Sequence, residues 1–374
     1  MRILFTSGIF PPDIGGPARM IEQLATDLSQ PGTTVTVLAF GQKDVVSRPF
    51  DVFKIQSKWF FCCKLWQLAR EAEVIYTFDL YTAGFLSWLI GKKILKKKLV
   101  VRFAGDSAWE SALNKNQTRD DIISFQKKKY GWQVELMKKI RRRILTEADQ
   151  VVAVSNFMKD LAIKIGVKEV KVTVIYNAVD FVQNSLEPNQ KTEGEKNIMT
   201  AGRLVPWKGI DGLIMAMSDL KKDQIAASFK LTVVGEGPDK SRLEKLSHDE
   251  GVNNFVNFVG KVPLDKISNY YATADVFILN SQYEGLSHVL LEVLSLGRPI
   301  IASSSGGNPE VIVNEKNGLL VEYNNLGQLK SAIKRILTEP YWQSAEYKQA
   351  CRESLKKFNW QNVVEQTIKI FKNV

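Results

Sequence analysis

Two patterns of apolar and polar positions alternate along most of the chain. Short apolar runs, typical of buried strands, occur in the first half at residues 2–7, 34–40, 74–78, 99–103 and 150–154. Longer stretches with apolar residues at helical spacing separate these runs, and the same alternation returns in the second half. The pattern predicts an α/β protein with parallel sheets.

The length of the chain predicts more than one hydrophobic core. Its 374 residues, of which 45% are hydrophobic, are enough to bury two cores. We place the first domain at residues 1–178 and the second at residues 179–357, with a polar linker at 183–196. A last amphipathic helix is predicted at residues 358–374.

A strand–helix–strand unit is predicted at residues 275–302, where an apolar run, helical spacing and a second apolar run follow one another. Ser287 is a good N-cap, so the amides of His288 and Val289 would face the carboxyl edge of the sheet, where anions bind. Glu284 then lies in the loop and Glu292 in the helix, where both carboxylates can accept hydrogen bonds from ligand hydroxyls. This arrangement suits a phosphorylated sugar; the alternative is a surface helix whose glutamates face solvent.

A second loop contributes two cations. The segment NIMTAGRLVPWKGIDGLIMAM is typical of a strand, a loop and a helix, and it places Arg203 and Lys208 in one loop between Gly202 and Gly209. Arg can grip a phosphate with two hydrogen bonds, whereas Lys acts as a point charge, so the pair suits a diphosphate. The alternative is a pair of solvated loop cations.

These segments together resemble a known family of enzymes. The pattern E-x7-E, followed by LGRPIIAS and SGGNPE, is similar to the donor-site signature of the retaining glycosyltransferases of family 4. The resemblance implies a GT-B fold, in which two Rossmann-like parallel-sheet domains face each other across a cleft and the last helix returns to the first domain. The segment YNAVD resembles the hinge N-G-V-D of the family, with Ala178 in place of the usual glycine.

The resemblance also assigns a role to each candidate residue. It implies that Glu284 binds the donor sugar, that Glu292 binds the ribose, and that Arg203 and Lys208 bind the diphosphate. A Gly-Gly loop at residues 15–16, a VVGxGP turn and the FVNFVGKVP segment are further matches. The implied donor-binding residues are Gly15, Gly16, Gly235, Val262, Gly285, Leu286, Ser287, His288, Val289 and Glu292.

Asp106 is the candidate on the acceptor side. It follows the strand predicted to end at residue 103, which would place it at the carboxyl end of the first sheet, facing the cleft. A carboxylate there can bind sugar hydroxyls or orient the acceptor hydroxyl. Many relatives have a histidine near this place, and the alternative is that Asp106 is the N-cap of a helix at 107–113.

Net charge points to an anionic partner. The chain has a formal charge of +11, and residues 91–143 hold 16 Lys and Arg against 5 Asp and Glu, which equals the whole excess. Each cation near an anionic lipid surface contributes about 1 kcal/mol, so this segment predicts a first domain that sits on a membrane and takes a lipid-linked acceptor. The alternative is a solvated helix face. No nucleic-acid-binding signature accompanies the charge.

Other chemistries find little support in the residues. The turn after residue 234 fails the G-x-G-x-x-G fingerprint because Lys240 replaces the last glycine, so a nicotinamide site is not expected. With no D-x-D, no CxxC and only His248 and His288, neither a metal site nor a cofactor other than the nucleotide-sugar substrate is expected. Three cysteines fit a reducing compartment, and Met1 leads directly into a strand without a signal peptide.

The sequence therefore predicts a metal-independent, retaining hexosyltransferase that uses a nucleoside-diphosphate sugar. It would act on a glycan or lipid-linked acceptor in cell-envelope polysaccharide synthesis, on the inner face of the cytoplasmic membrane. A sugar-nucleotide epimerase of similar architecture and a nonenzymatic membrane- or nucleic-acid-binding module are the alternatives. The donor base, the hexose, the acceptor and the oligomeric state stay open at this point.

Overall fold

The chain forms two compact units. Its structure, a computed structural model, describes residues 1–13, 16–42, 46–178, 195–222 and 229–374. Unit 1 comprises Met1–Tyr176 together with Trp360–Val374, and unit 2 comprises Asn177–Asn359. Most of the predicted linker at 183–196 lies outside the described residues.

Unit 1 is built on a parallel sheet with the strand order β3-β2-β1-β4-β5-β6-β7. Its central strands are almost fully buried, as expected for strands covered on both faces. The strands are β1 (Arg2–Ser7), β2 (Thr34–Phe40), β3 (Asp51–Ile55), β4 (Val74–Thr77), β5 (Lys98–Phe103), β6 (Gln150–Ala153) and β7 (Val172–Val174).

The predicted strands of unit 1 are all present, but two further strands were missed. The missed strands, β3 and β7, form the two edges of the sheet. Most residues of β3 are only half buried, and β7 is three residues long. An edge strand needs no continuous apolar run, so neither one gives the hydrophobic signal of a central strand.

Helices connect the strands of unit 1. A π-helical segment, Ser87–Ile94, continues directly from α3. The helices before the second unit are α1 (Gly16–Leu28), α2 (Lys58–Glu71), α3 (Ala83–Leu86), α4 (Ser107–Asn114), α5 (Ile122–Lys127), α6 (Trp132–Glu147) and α7 (Asn156–Ile165).

Unit 2 repeats this architecture with a smaller parallel sheet, in the order β10-β9-β8-β11-β12-β13. Its strands are β8 (Lys196–Ala201), β9 (Phe229–Val234), β10 (Val256–Gly260), β11 (Val276–Leu279), β12 (Ile300–Ser303) and β13 (Leu319–Val321). Its helices are α8 (Ile210–Lys222), α9 (Lys240–Asp249), α10 (Leu264–Tyr271), α11 (His288–Ser295), α12 (Asn308–Val311), α13 (Leu326–Thr338) and α14 (Ala345–Leu355).

The last helix, α15 (Trp360–Asn373), belongs to unit 1 although it follows unit 2 in the chain. Phe371 meets the rings of Phe5 and Tyr76 edge-on, at centroid distances of 6.5 and 5.3 Å. At the other end of the helix, the Trp360 indole donates a hydrogen bond to the Asp27 carboxylate. These contacts fix α15 against the core of unit 1.

The predicted fold class is confirmed: each unit is a Rossmann-like parallel-sheet domain. Within the described ranges, none of the helices combines the length and the apolar character needed to cross a bilayer.

Candidate functional site

The candidate site lies at the carboxyl edge of the unit 2 sheet. Strands β9 and β10 lie on one side of β8 in the sheet, and β11, β12 and β13 lie on its other side. The direction in which successive strands are added therefore changes between β8 and β11. In open parallel sheets, ligands bind at such a switch point, outside the carboxyl ends of the strands.

Two loops meet at this switch point. The loop after β8 ends in a 3₁₀ turn at Pro206–Lys208, and the Gln282 amide of the loop after β11 donates to the Trp207 carbonyl over 2.7 Å. Gly209 has φ +60°, and a Cβ there would lie 2.0 Å from the Asn280 carbonyl oxygen. Only glycine allows both this backbone conformation and this close approach.

Lys208 and Glu284 come together at the meeting of the loops. The Lys208 ammonium donates to Glu284 Oε1 over 2.6 Å, and both side chains are half buried. Arg203 lies in the same loop as Lys208, is exposed, and places its guanidinium 5.4 Å from the centre of the Trp207 ring. The structure thus brings a cation and a carboxylate into contact and holds a second cation nearby.

A glycine pair supports the backbone of Glu284. Gly306 has φ +60°, and a Cβ there would lie 2.2 Å from the Glu284 carbonyl oxygen. The Gly307 amide donates to that same oxygen over 2.8 Å, and a Gly307 Cβ would lie 2.3 Å from the Gly285 carbonyl oxygen. We assigned no role to this pair from the sequence, although the two adjacent glycines after a strand were visible.

The loop after β11 leads into α11. Ser287 is the N-cap of this helix, and its hydroxyl accepts a hydrogen bond from the Leu290 amide over 3.3 Å. His288 and Val289 are its first two residues and are half buried. Gly285 and Leu286 are buried, and the Leu286 carbonyl accepts a 2.9 Å hydrogen bond from the Asn177 side chain.

Glu292 lies on α11 and is hydrogen bonded to Tyr271, the last residue of α10. The Tyr271 side chain is 2% exposed and packs edge-on against Phe277 at 5.7 Å. Burial raises the pKa of the Tyr271 phenol well above its usual value, and the charge of Glu292 and the hydrogen bond to it raise the pKa further. The phenol therefore stays protonated and acts as the donor to the carboxylate.

The remaining predicted residues are distributed between the two units. Gly235 follows β9 with φ +137°, and a Cβ there would lie 1.9 Å from the Gly202 carbonyl oxygen. Val262 follows β10 and is half buried. Gly16 is the first residue of α1 in unit 1, and Gly15 lies outside the described residues.

The structure corrects the expected position of Asp106. Its side chain is completely buried in unit 1 rather than facing a cleft. One carboxylate oxygen caps α4 by accepting hydrogen bonds from the amides of Ala108 and Trp109. The other oxygen accepts from the guanidinium of Arg141 and from the Gln126 amide. The N-cap alternative is therefore correct, and both carboxylate oxygens are hydrogen bonded within unit 1.

We expect Asp106→Asn to destabilise unit 1 by about 3 kcal/mol, because it leaves Arg141 buried without a charged partner. Urea unfolding would measure this loss. The matched control is Asp121→Asn, an exposed N-cap on α5, where asparagine caps as well as aspartate and no buried cation loses its partner, so the loss should stay within about 0.5 kcal/mol. If both variants lost the same stability while Asp106→Asn alone lost all activity, the acceptor role would be restored.

The described residues contain no group of three or more His, Cys, Asp or Glu side chains arranged to hold a metal ion. Independence of metal stays a prediction.

Comparison with protein families matches both halves of the chain. Residues 182–358 match the model described as glycosyl transferases group 1, and residues 14–183 match the model described as glycosyltransferase family 4. Together the two matches cover nearly the whole chain.

Curated relatives share this description. An uncharacterized glycosyltransferase of Methanocaldococcus jannaschii is 32% identical over 60% of this chain and 60% of its own length. A GDP-mannose-dependent alpha-(1-6)-phosphatidylinositol monomannoside mannosyltransferase of Mycobacterium tuberculosis is 30% identical over 56% of this chain and 58% of its own length. The matches to these two relatives thus span about three fifths of each.

Solved structures show the same fold. Sucrose-phosphate synthase from Thermosynechococcus elongatus has a TM-score of 0.81 and 20% identity, covering 100% of this chain and 98% of its own. The Anabaena protein HepE, solved in complex with UDP-glucose, has a TM-score of 0.76 and 19% identity over the whole of both chains.

Proposed function

Because the chain belongs to the group 1, family 4-type glycosyltransferases of GT-B fold, we propose that it transfers a hexose from a nucleoside-diphosphate sugar to an acceptor hydroxyl, with retention. The observation that carries this proposal is the contact of Lys208 with Glu284 at the switch point of the unit 2 sheet. It combines a cation for a diphosphate with a carboxylate for sugar hydroxyls.

In this reaction the bond between the anomeric carbon and the diphosphate oxygen breaks, and the diphosphate leaves with the electron pair. The acceptor oxygen attacks the same face of the sugar and forms the new glycosidic bond. A phosphate oxygen of the leaving group takes the acceptor proton, so no nucleophile from the protein and no metal ion are required. Lys208 and Arg203 stabilise the negative charge that develops on the diphosphate.

Glu284 has two roles in this proposal. Before the donor binds, its carboxylate neutralises Lys208 at 2.6 Å, so neither charge is left unpaired in a half-buried position. When the diphosphate binds, it competes for the ammonium, and the carboxylate can then accept hydrogen bonds from sugar hydroxyls. Glu292, which lies on the neighbouring helix α11, accepts hydrogen bonds from the ribose hydroxyls of the donor.

The first test is nucleoside diphosphate release from a panel of nucleotide sugars, with wild type beside Glu284→Ala. Release from one donor, and its loss in the variant, would support transfer and identify the donor. Conversion of a nucleotide sugar into its epimer without release would support the epimerase instead. If no donor gives release, calorimetry on the same panel separates two cases. Absence of nucleotide binding would contradict the proposal, whereas binding without release would indicate that only the acceptor is missing.

We expect Tyr271→Phe to weaken donor binding without changing the fold. The phenol hydroxyl holds the Glu292 carboxylate, so its loss should raise KM for the donor by about tenfold, the cost of one lost charge-assisted hydrogen bond, with kcat nearly unchanged. Preference for a ribonucleotide over its 2′-deoxy form should fall by a similar factor.

A double-mutant cycle with Glu292→Gln tests that route. If Tyr271 acts through Glu292, the double variant should be no worse than Glu292→Gln alone. Additive losses of affinity would show that Tyr271 supports the fold and not the carboxylate.

We also propose that the acceptor is a lipid-linked glycan of cell-envelope polysaccharide synthesis, reached from the cytoplasmic face of the membrane. The support is the basic segment 91–143 and the similarity to a mannosyltransferase whose name specifies a phosphatidylinositol monomannoside. Much of the charge in this segment is already paired, because Lys92, Lys93, Lys128, Lys138, Arg141 and Arg143 form ion pairs within unit 1. Three of these pairs use acids of the same segment, which its net charge already includes, so only the pairs with Glu147 and Asp149 reduce the charge that it offers to a membrane.

A further inference from the structure

Helix α2 exposes large aromatic side chains to solvent. Trp59 is 74% exposed, Phe60 67% and Trp66 42%. A large apolar side chain that stands alone on a surface needs no explanation, but a cluster of them marks an interaction site. This cluster lies in unit 1, outside the basic segment 91–143.

The exposed residues follow the helical period on the side opposite the core. Phe61, Leu65 and Ala69 are fully buried and fix the inner face of α2. Trp59, Cys63 and Trp66 are spaced four and three residues apart, which places them on one stripe that faces away from the core. The helix thus has two apolar faces, and only the inner one is covered by unit 1.

Neighbouring elements extend the outer surface. The right-handed crossovers from β3 to β4, from β4 to β5 and from β5 to β6 place α2, the π-helical segment Ser87–Ile94 and α6 on the same side of the sheet. The Trp88 indole and the Lys93 ammonium both contact Glu147 of α6, at 2.9 and 3.1 Å. Among the described residues, seven of the twelve exposed large hydrophobic side chains lie on these three elements: Trp59, Phe60, Trp66, Leu89, Ile94, Trp132 and Leu136.

Cations border the aromatic stripe. Helix α2 carries Lys58, Lys64 and Arg70 against the single acid Glu71, and the Lys64 ammonium lies 3.9 Å from the centre of the Phe53 ring. Lys97 donates to the Arg70 carbonyl over 2.7 Å and so adds its charge at the end of the helix. Exposed Trp and Phe beside Lys and Arg are typical of helices that lie in the interface of an anionic bilayer.

We propose that the outer face of α2 inserts Trp59, Phe60 and Trp66 into the headgroup region of an anionic bilayer. The bordering cations contact lipid phosphates, while the aromatic rings move from water into the boundary between the headgroups and the acyl chains. This proposal deepens the membrane part of the proposed function, because it places the apolar anchor on α2 rather than in the segment 91–143. It does not depend on the transferase chemistry.

A fluorophore at Cys63 can report insertion directly. Cys63 is exposed on the aromatic stripe, whereas Cys62 is half buried and Cys351 is buried. The full-length Cys62→Ser protein, labelled at Cys63 with an environment-sensitive dye, would be mixed with vesicles of equal parts phosphatidylglycerol and phosphatidylethanolamine. We expect a blue shift and quenching by nitroxide-labelled acyl chains. Vesicle binding without acyl-chain quenching would contradict insertion and would indicate adsorption by charge alone.

Variants of the aromatic residues test the same surface without a label. The triple substitution Trp59→Gln, Phe60→Gln and Trp66→Gln should lower vesicle partitioning by about 100-fold, since three rings lose their apolar contact. Val170→Gln is the matched control, because Val170 is an exposed apolar residue beside the edge strand β7, whereas α2 follows β3 at the opposite edge of the sheet, and partitioning of this variant should not change. Hydrolysis of the donor without an acceptor, measured as nucleoside diphosphate release, should proceed at the same rate in all variants.

The remaining outcomes separate other occupants of the surface. If the triple variant partitions normally but no longer forms a dimer seen for wild type in analytical ultracentrifugation, the α2 surface binds a second copy of the chain and not a bilayer. If no donor were ever hydrolysed while vesicle insertion persisted, the function proposed above would fail and the inference about α2 would stand.

Discussion

Lys208→Ala is expected to lower turnover by about 10²–10³-fold, the usual effect of removing one group that stabilises charge in a transition state. The ammonium of Lys208 is held at the switch point by Glu284 and is the half-buried cation of the β8 loop. Loss of stability should be about 1–2 kcal/mol, because the pair is half buried and the Glu284 carboxylate that loses its partner is still 13% exposed. Steady-state kinetics and urea unfolding of the same preparation would measure both effects.

Lys222→Ala provides the matched control for this prediction. Lys222 also pairs with a carboxylate in unit 2, at 3.2 Å from Asp219, but it lies at the far end of α8, about 20 Å along the helix from the site. The control should keep full turnover. Turnover of Lys208→Ala that falls only in proportion to its folded fraction would remove Lys208 from the reaction.

Gly306→Ala is expected to reduce activity by about 100-fold, the size of effect that a displacement of about 1 Å at a reacting group can produce. The added Cβ would lie 2.2 Å from the Glu284 carbonyl oxygen, so the loop that carries Glu284 must move. Donor binding by calorimetry and the melting temperature would be measured together with turnover.

Backbone strain must be separated from this displacement. Gly251 has φ +66° but no atom within 4 Å of its ideal Cβ, so Gly251→Ala carries the left-handed strain without a clash. That strain is worth about 1 kcal/mol. We expect Gly251→Ala to lose this stability and keep its activity. Equal activities of the two alanine variants would show that Gly306 does not position Glu284.

Prediction from the sequence succeeded where one element carries its own signal. The central strands of both sheets are apolar runs because they are buried on both faces, so the runs alone identify these strands in the sequence. The same reasoning placed Glu284 in a loop and Glu292 in a helix, because Ser287 marks the helix start by its N-cap chemistry. The edge strands β3 and β7 were missed because they lack a buried face of this kind.

Prediction failed where partners came from distant parts of the chain. The position of Asp106 after a strand is compatible with both a catalytic carboxylate and a buried cap. What decides between them is Arg141, 35 residues later, whose guanidinium meets the carboxylate inside unit 1. Tyr271 and Gly306 likewise became candidates only through their contacts with Glu292 and Glu284, which the sequence does not reveal.

The sequence by itself determined the α/β class, the two-domain organisation and the residue types of the candidate site, since these follow from periodicity, length and local motifs. The tertiary structure decided which charges meet, which are buried and which face solvent. It paired Lys208 with Glu284, buried Asp106 and exposed the aromatic stripe of α2. The reason is that side-chain environment depends on which elements pack together, and that arrangement is set by contacts between residues far apart in the chain.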